Sequence, residues 1–298
     1  MKTKSYKRLI IAHYITALIV IILVTSSSCA FRRVTRNKDI PYMEYDSARS
    51  IPAQQLNIFS PRKPKDLKDV LIFIHGGSWK SGNKDLYNFL GNRMARKGIL
   101  TVIISYPLNN VATYNEMAIA SARAVKWMHN NIKDYGGDPE KIFVSGHSAG
   151  GHLAALIAIR NEYFDSVGIK SPLKGVILID AAGLDMYGYL KEEQFQEGHY
   201  HLRTFTSKPA VWKEASPMYH VHPHMPPLLI FRGEKTYPSI IKSTERFVKA
   251  MKPYVPTPHY KVQKGKRHIP MILQFIWTWN PLYKEIIHFM EKNNGEPK

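Results

Sequence analysis

One serine lies between glycines in a pattern typical of nucleophilic catalysis. Ser148 lies in a G-x-S-x-G run at residues 146–150, directly after apolar residues 142–144 and directly before a helical pattern at 151–159. In this strand–turn–helix context the glycines permit a tight turn that exposes the serine hydroxyl, and the helix N-terminus favours developing negative charge. The pattern therefore predicts an activated serine that attacks an acyl carbon, rather than an ordinary Gly-Ser turn.

A Gly-Gly pair upstream could supply the electrostatic stabilisation that acyl transfer needs. Gly76 and Gly77 lie in a His-Gly-Gly-Ser-Trp run that follows apolar residues 70–74. Glycines let backbone N–H groups approach the oxygen that becomes negative in the transition state. We predict an oxyanion hole made by the N–H groups of Gly76, Gly77 and Ala149. A purely structural turn is the alternative.

The general base is expected near the end of the chain, because the partners of a G-x-S-x-G serine follow it in the order acid, then histidine. His268 comes after a strand-like segment at residues 259–262 and before an apolar helical pattern that begins near Met271. His288 is a rival, but it falls inside a terminal helical pattern. We therefore predict that His268 is the base.

Three alternating histidines invite a metal interpretation that the sequence does not favour. His220, His222 and His224 lie in a Pro-containing loop without helical spacing or an accompanying carboxylate. Metal sites in proteins normally combine such ligands in a defined spacing. We expect these histidines to be surface residues, and we expect no metal.

Alternating apolar runs and helical patterns predict a doubly wound, mostly parallel α/β sheet. The strand-type runs are residues 70–74, 100–104, 142–144, 176–179 and 228–231, with helical patterns at 86–97 and 115–132. In such sheets ligands bind beyond the carboxyl ends of the strands. Residues 183–225 interrupt the alternation and predict a small cap or insertion, whose aromatic residues we expect mainly to pack rather than to form a substrate platform.

The N-terminus has the organisation of a secretion signal. Basic residues precede an apolar run at residues 9–24, which is shorter than the roughly 20 residues that a spanning helix needs. Cys29, the only cysteine, follows at the position of a lipid-modified cysteine, although Ser26 replaces the leucine usual in lipoprotein signals. We predict a signal peptide over 1–28, lipid attachment at Cys29, and an exported protein held at a membrane in a bacterial envelope. A buried structural cysteine and an uncleaved anchor are the alternatives.

The rest of the chain is predicted to be a tether and lead-in over residues 29–69, followed by one catalytic domain over 70–298. Apolar residues make up 44% of the chain, enough to exclude global disorder. The formal charge of +19 would suit anionic lipid headgroups or acidic glycans, but the basic residues are dispersed, which favours an ordinary solvated basic surface. No nucleic-acid motif is present. We therefore expect no nucleic-acid partner.

Several longer runs resemble one enzyme family. Residues 75–82, 138–154, 212–217 and 226–230 closely resemble the HGG-type carboxylesterases related to hormone-sensitive lipase, bacterial feruloyl and acetyl xylan esterases, and kynurenine formamidase. The resemblance extends from about residue 70 to the C-terminus. It implies an α/β-hydrolase fold and a serine ester hydrolase that needs no cofactor.

The catalytic acid departs from the pattern of that family. An aspartate normally ends an H-G-x-x-D run, but residues 232–236 read Arg-Gly-Glu-Lys-Thr and place Thr236 there. Glu234 is the first candidate because it lies two residues earlier in the same loop. Asp180 and Asp185, after the preceding strand, are the alternatives, and a third alternative is that no carboxylate supports the histidine.

These features predict hydrolysis of small or short-acyl esters, free or linked to glycans, through an acyl-enzyme. An exopeptidase or amidase could use the same groups. A catalytically weak binding lipoprotein is the alternative from another functional class.

Overall fold

The structure is a computed structural model that describes residues 34–62 and 64–295. Its strands are β1 (Val34–Met43), β2 (Gln54–Pro61), β3 (Lys68–Ile74), β4 (Leu100–Ile104), β5 (Gly137–His147), β6 (Leu173–Ile179), β7 (Leu228–Gly233) and β8 (His259–Gln263). Its α-helices are α1 (Asn88–Arg96), α2 (Tyr114–Asn131), α3 (Ala149–Ile159), α4 (Glu162–Ser166), α5 (Met186–Glu193), α6 (Tyr200–Phe205), α7 (Pro209–Glu214), α8 (Pro238–Met251), α9 (His268–Leu273) and α10 (Leu282–Asn293).

All eight strands form one sheet in the order β1-β2-β4-β3-β5-β6-β7-β8. Strand β2 pairs antiparallel with both β1 and β4, and every other pairing is parallel. Helices link the parallel strands, as right-handed crossovers require. The predicted fold class, a doubly wound and mostly parallel α/β sheet, is confirmed.

The central strands are apolar on both faces because helices cover both sides of the sheet. In β3 the side chains alternate between two core clusters: Val70, Ile72 and Ile74 join one, and Leu71 and Phe73 join the other. Helices α2, α3 and α8 contribute to the first cluster, whereas α1, α9 and α10 contribute to the second. The sheet is therefore held rigidly between two layers of helices.

The structure describes part of the segment predicted as a tether and an irregular or short-strand lead-in, and that part contains two strands. Strands β1 and β2 belong to the sheet, and Ile58 and Phe59 of β2 are fully buried on opposite faces. Because β1 is an edge strand, half of its side chains are exposed, and a bulge between Asn37 and Ile40 disturbs the alternation of its side chains between the two faces. This explains why its sequence lacks a strand pattern. The predicted signal peptide and Cys29 lie outside the described residues.

The segment predicted as an insertion, residues 183–225, contains helices α5, α6 and α7 and lies between β6 and β7. The carboxyl ends of four parallel strands, β3, β5, β6 and β7, lie at the same end of the sheet. The residues that follow these strands therefore converge there, close to the insertion. Over residues 34–62 and 64–295, no helix combines the length and the apolar character needed to span a membrane.

Candidate active site

The predicted nucleophile, Ser148, lies in a strained turn between β5 and α3. Ser148 has φ 55° and ψ −122°, a conformation that non-glycine residues rarely adopt. The flanking glycines are required by space, because a Cβ on Gly146 would lie 2.2 Å from the Gly150 carbonyl oxygen. A Cβ on Gly150 would lie 2.1 Å from the Ile74 oxygen. The turn therefore holds the serine at the carboxyl edge of the sheet.

Ser148, His268 and Asp180 form a hydrogen-bonded chain. The Nε2 atom of His268 lies 2.9 Å from Ser148 Oγ, and its Nδ1 atom lies 2.6 Å from Asp180 Oδ2. His268 is the first residue of α9, and Asp180 follows β6 directly. All three side chains are buried, with Asp180 completely inaccessible. In this arrangement the carboxylate fixes the imidazole so that Nε2 faces the hydroxyl.

The Asp180 carboxylate is satisfied on both oxygens. The Gly233 N–H donates to Oδ1 at 2.8 Å, and the Thr236 hydroxyl donates to Oδ2. A buried carboxylate is stable only when such donors replace water. Thr236, at the position where similar esterases carry the acid, thus supports an acid from the neighbouring strand. This role of Thr236 was not predicted from the sequence.

The assignment of the acid to Glu234 was wrong. Its Oε2 atom accepts the Gly265 N–H at 2.7 Å, on the exposed surface of the loop, and it does not contact His268. Asp185 is also excluded, because it accepts the Gly188 N–H at the start of α5 and pairs with Arg246 at 2.8 Å. The alternative of Asp180 matches the geometry.

The structure argues against one donor of the predicted oxyanion hole. The Gly76 N–H donates to the Tyr87 hydroxyl at 3.2 Å, so it is already engaged. The N–H groups of Gly77, Ser78 and Ala149 have no protein acceptor among residues 34–62 and 64–295. Gly77 has φ 137°, and a Cβ there would lie 1.9 Å from the Ser81 oxygen. The geometry favours Gly77 and Ala149, with Ser78, as the donors.

A second histidine packs against the base. The His147 ring stacks on His268 with centroids 4.6 Å apart, and its Nε2–H donates to the His268 carbonyl at 3.3 Å. Burial, followed by the adjacent His268, lowers the pKa of His147 to about 3. His147 therefore stays neutral at ordinary pH and does not repel the positive charge that forms on His268 during proton transfer.

A cavity of about 820 Å³ opens onto Ser148 and His268. Of the aromatic residues in the insertion, Tyr189 and Tyr200 line it, whereas Phe205 packs against Trp79 with ring centroids 5.0 Å apart. The insertion thus contributes both packing and cavity lining. This size is typical of sites for small organic ligands.

The histidine loop makes ordinary structural contacts. Nε2–H of His220 donates to the Glu214 carbonyl at 3.0 Å, and Nε2–H of His222 donates to the Ile159 carbonyl at 2.9 Å. These rings connect the insertion to neighbouring backbone, away from Ser148.

Sequence comparison identifies relatives of the chain. Residues 56–250 match the family model BD-FAE. Esterase LipQ of Mycobacterium tuberculosis is 31% identical over 218 residues, which cover 68% of this chain and 50% of that protein. The chain spans about half the length of the curated relatives that it matches.

Solved esterases share the fold. Esterase B from Lactobacillus rhamnosis has a TM-score of 0.72 at 17% identity, covering 97% of this chain and 96% of that one. Propionate-bound esterase 2 from Thermogutta terrifontis has a TM-score of 0.69 at 22% identity, covering 88% and 96%. At these identities the likeness extends to the α/β-hydrolase fold.

Proposed function

The chain belongs to the BD-FAE family, and from that premise we propose that it is a serine carboxylic-ester hydrolase that works through an acyl-enzyme. The observation that carries this proposal is the position of His268. Its Nε2 atom lies 2.9 Å from Ser148 Oγ while Asp180 holds Nδ1 at 2.6 Å. This geometry makes His268 a base toward a hydroxyl that lies at the cavity.

In the first half of the reaction, Ser148 Oγ bonds to the acyl carbon as its proton moves to Nε2 of His268. The carbonyl oxygen becomes negative and accepts hydrogen bonds from the N–H groups of Gly77 and Ala149. The C–O bond to the alcohol then breaks, and His268 returns the proton to the departing oxygen. Asp180 stabilises the imidazolium throughout. A water molecule then attacks the acyl carbon of the acyl-enzyme while His268 takes its proton. His268 returns a proton to Ser148 Oγ as the bond between Oγ and the acyl carbon breaks, and the carboxylic acid is released.

We propose small or short-acyl esters as substrates, with the alcohol free or part of a glycan. A cavity of about 820 Å³ exceeds the needs of a short acyl chain and leaves room for the alcohol. Tyr87, Tyr189 and Tyr200 offer it apolar faces with polar hydroxyls. The family relationship, the name of LipQ as an esterase, and the propionate bound to Thermogutta terrifontis esterase 2 support this choice.

The test is hydrolysis of p-nitrophenyl acetate, butyrate and octanoate by the full chain and its variants. Ser148→Ala should lower kcat/KM by roughly 10⁴-fold or more, because Ser148 Oγ is the hydroxyl that His268 contacts. Ser239→Ala is the matched control, since Ser239 lines the same cavity without contacting His268 in the described chain. Equal rates in Ser148→Ala and wild type would contradict the proposal. Faster cleavage of the matching p-nitroanilides than of the p-nitrophenyl esters would instead indicate an amidase.

We also propose that the protein is exported and held at a membrane through its N-terminus. The basic residues, the apolar run at 9–24 and Cys29 support this in the pattern of a lipoprotein signal. In a bacterial host, Cys29→Ser should abolish incorporation of a labelled fatty acid while the protein is still exported. Labelling that persists in Cys29→Ser would contradict attachment at this cysteine.

A further inference from the structure

An exposed apolar strip begins beside the catalytic histidine. It consists of Ile269, Leu273, Ile276, Trp277 and Trp279, each of which exposes at least a third of its side chain. Trp279 is 76% exposed, and its ring lies 5.3 Å from that of Trp277. We call these five residues the apolar strip. Water-exposed tryptophans next to one another are unusual on a soluble surface and mark an interaction site.

The strip is one face of a segment that is apolar all round. Ile269, Leu273 and Ile276 follow the i, i+4, i+7 spacing of one helical face. On the opposite face, Met271, Ile272 and Phe275 are buried in the core cluster shared with α1 and α10. Folding of the chain therefore buries one side of the segment and leaves the other side exposed. The exposed side is available for contact with another molecule or a membrane.

The strip continues to the mouth of the active-site cavity. Ile269 both belongs to the strip and lines the cavity. Leu86 is 63% exposed and Tyr237 is 57% exposed, and both also line the cavity. A surface that covered the strip would therefore meet the entrance to Ser148.

Positive charge borders the strip. Arg93 donates through Nε to the Ile276 carbonyl at 3.1 Å, and Lys97 lies over the Tyr283 ring at 4.7 Å. The pKa of Lys97 is lowered by burial and then by the charges of Lys284 and Arg93, so the three cations are neighbours. In the described ranges none of the three makes an ion pair. We call Arg93, Lys97 and Lys284 the basic cluster.

We propose that the apolar strip and the basic cluster dock the protein on an anionic lipid bilayer, with the mouth of the active site against the membrane surface. Tryptophan side chains prefer the headgroup level of a bilayer, where the ring is partly apolar and its N–H remains hydrated. Lysine and arginine beside them attract anionic headgroups. The strip, which lacks charge, meets the acyl region while the basic cluster meets phosphate.

The first described residue lies on the same face of the sheet as the apolar strip. The side chain of Val34 packs against the same core cluster as α1, α9 and α10. Arg36, on the same strand, donates to Asn92 of α1 at 2.7 Å, one residue before the basic cluster begins. Along the strands, however, Val34 lies at the amino ends of the parallel strands, because it pairs with Pro61 while Phe59 pairs with Thr101 near the start of β4. The strip and the basic cluster, rather than the position of Val34, therefore carry the proposal.

The experiment uses the full chain in vesicles of phosphatidylcholine with or without phosphatidylglycerol. Brominated phosphatidylglycerol quenches only tryptophans at the bilayer, so it separates docking of the strip from simple attachment through the N-terminus. Quenching should be strong in wild type and absent in Trp277→Phe/Trp279→Phe, since Trp79 is buried and Trp127 and Trp212 lie outside the strip. Leu273→Ser/Ile276→Ser should reduce quenching while both reporter tryptophans remain.

Removal of the positive charges of the basic cluster tests its contribution to docking. Arg93→Gln/Lys97→Gln/Lys284→Gln should lower the docked-to-undocked ratio by about tenfold or more, and added salt should do the same in wild type. The matched control replaces three exposed lysines elsewhere, Lys170→Gln/Lys208→Gln/Lys249→Gln, and should keep wild-type quenching. All variants should retain hydrolysis of soluble p-nitrophenyl acetate, which reports correct folding.

Three results would overturn the proposal. Equal acrylamide quenching of Trp277 and Trp279 with and without anionic vesicles would show that the strip faces water. Tryptophan emission that shifts to the blue as the protein concentration rises, without vesicles, would show that a second copy of the chain covers the strip. Tryptophan emission that is already blue-shifted without vesicles at every protein concentration would show that the chain's own N-terminal segment covers it. Because Ser148→Ala should dock like wild type, failure of docking and failure of ester hydrolysis are distinguishable.

Discussion

The Thr236 hydroxyl donates to the same oxygen of Asp180 that accepts the Nδ1–H of His268. Thr236 follows β7, at the position where similar esterases carry the acid, whereas Asp180 follows β6. The carboxylate that contacts His268 thus follows the strand beside the one after which similar esterases carry it. This is possible because β6 and β7 are adjacent and parallel, so the residues after them reach the same point.

Replacement of Asp180 by asparagine should lower kcat by roughly 10⁴-fold, because an amide neither holds the productive tautomer of His268 nor stabilises its charge. The measurement is kcat for p-nitrophenyl acetate, together with the rate of labelling of Ser148 by a fluorophosphonate. Glu234→Gln is the matched control and should remain within about twofold of wild type, since Glu234 holds only the exposed loop at Gly265. Activity lost in Glu234→Gln but retained in Asp180→Asn would reverse the assignment.

Moving the carboxylate back to β7 should restore part of the lost activity. In Asp180→Asn/Thr236→Asp the new carboxylate starts from a residue whose side chain already reaches the Asp180 oxygen that binds His268. We expect the double variant to exceed Asp180→Asn by roughly 10-fold to 100-fold in kcat, short of wild type because the geometry is not optimised. Thr236→Val/Asp180→Asn, which adds no carboxylate, should show no recovery. Equal kcat in the two double variants would refute the equivalence of the positions.

Most of the fold was predictable because buried parallel strands appear in the sequence as continuous runs of apolar residues. The run at residues 100–104 was predicted with the bounds that β4 has, and the run at 70–74 falls within β3. Strand β1 was missed because an exposed edge strand carries polar residues on both faces. Only pairing with β2, a long-range contact, makes it a strand.

The parts of the site that depend on local sequence were predictable, whereas the parts that depend on contacts between distant residues were not. The turn at Ser148 is encoded locally by its glycines, and the position of His268 follows from chain order. The acid was not encoded in this way, because Asp180 and Glu234 each follow a strand and only the register of the strands distinguishes them. The engagement of Gly76 by Tyr87 likewise depends on a side chain eleven positions away.

Replacement of Gly77 by alanine should impair the oxyanion hole more than the fold. Its Cβ would lie 1.9 Å from the Ser81 oxygen, so the loop must move and carry its N–H groups away from the oxyanion. We expect a loss in kcat of roughly 10²-fold to 10³-fold with a smaller change in KM. Gly98→Ala is the matched control: φ is also positive there, but nothing lies within 4 Å. It should lower Tm without changing kcat, and an equal loss of kcat in both variants would argue against the assignment.

The His201 ring should make the protein less stable in mild acid. It is surrounded by aromatic rings, with Phe195 stacked at 4.8 Å and Tyr189 at 5.2 Å, and its Nδ1 atom has no partner in the described chain. Burial, followed by the charges of His199 and Lys80, lowers the pKa of His201 to about 3. The unfolded chain, with a histidine pKa near 6.5, therefore binds a proton that the folded chain rejects between pH 6.5 and about 3.

The sign of the effect follows from that difference. Because the unfolded state binds more protons in this window, the free energy of unfolding falls as the pH falls below 6.5, and the contribution of His201 reaches about 2 kcal/mol at pH 5. In His201→Phe, urea denaturation at pH 7 and pH 5 should show a drop in stability smaller than that of wild type by about this amount. His288→Phe, at an exposed position on α10, should keep the wild-type drop. The same drop in His201→Phe as in wild type would mean that this ring is protonated, or hydrated, in the folded protein.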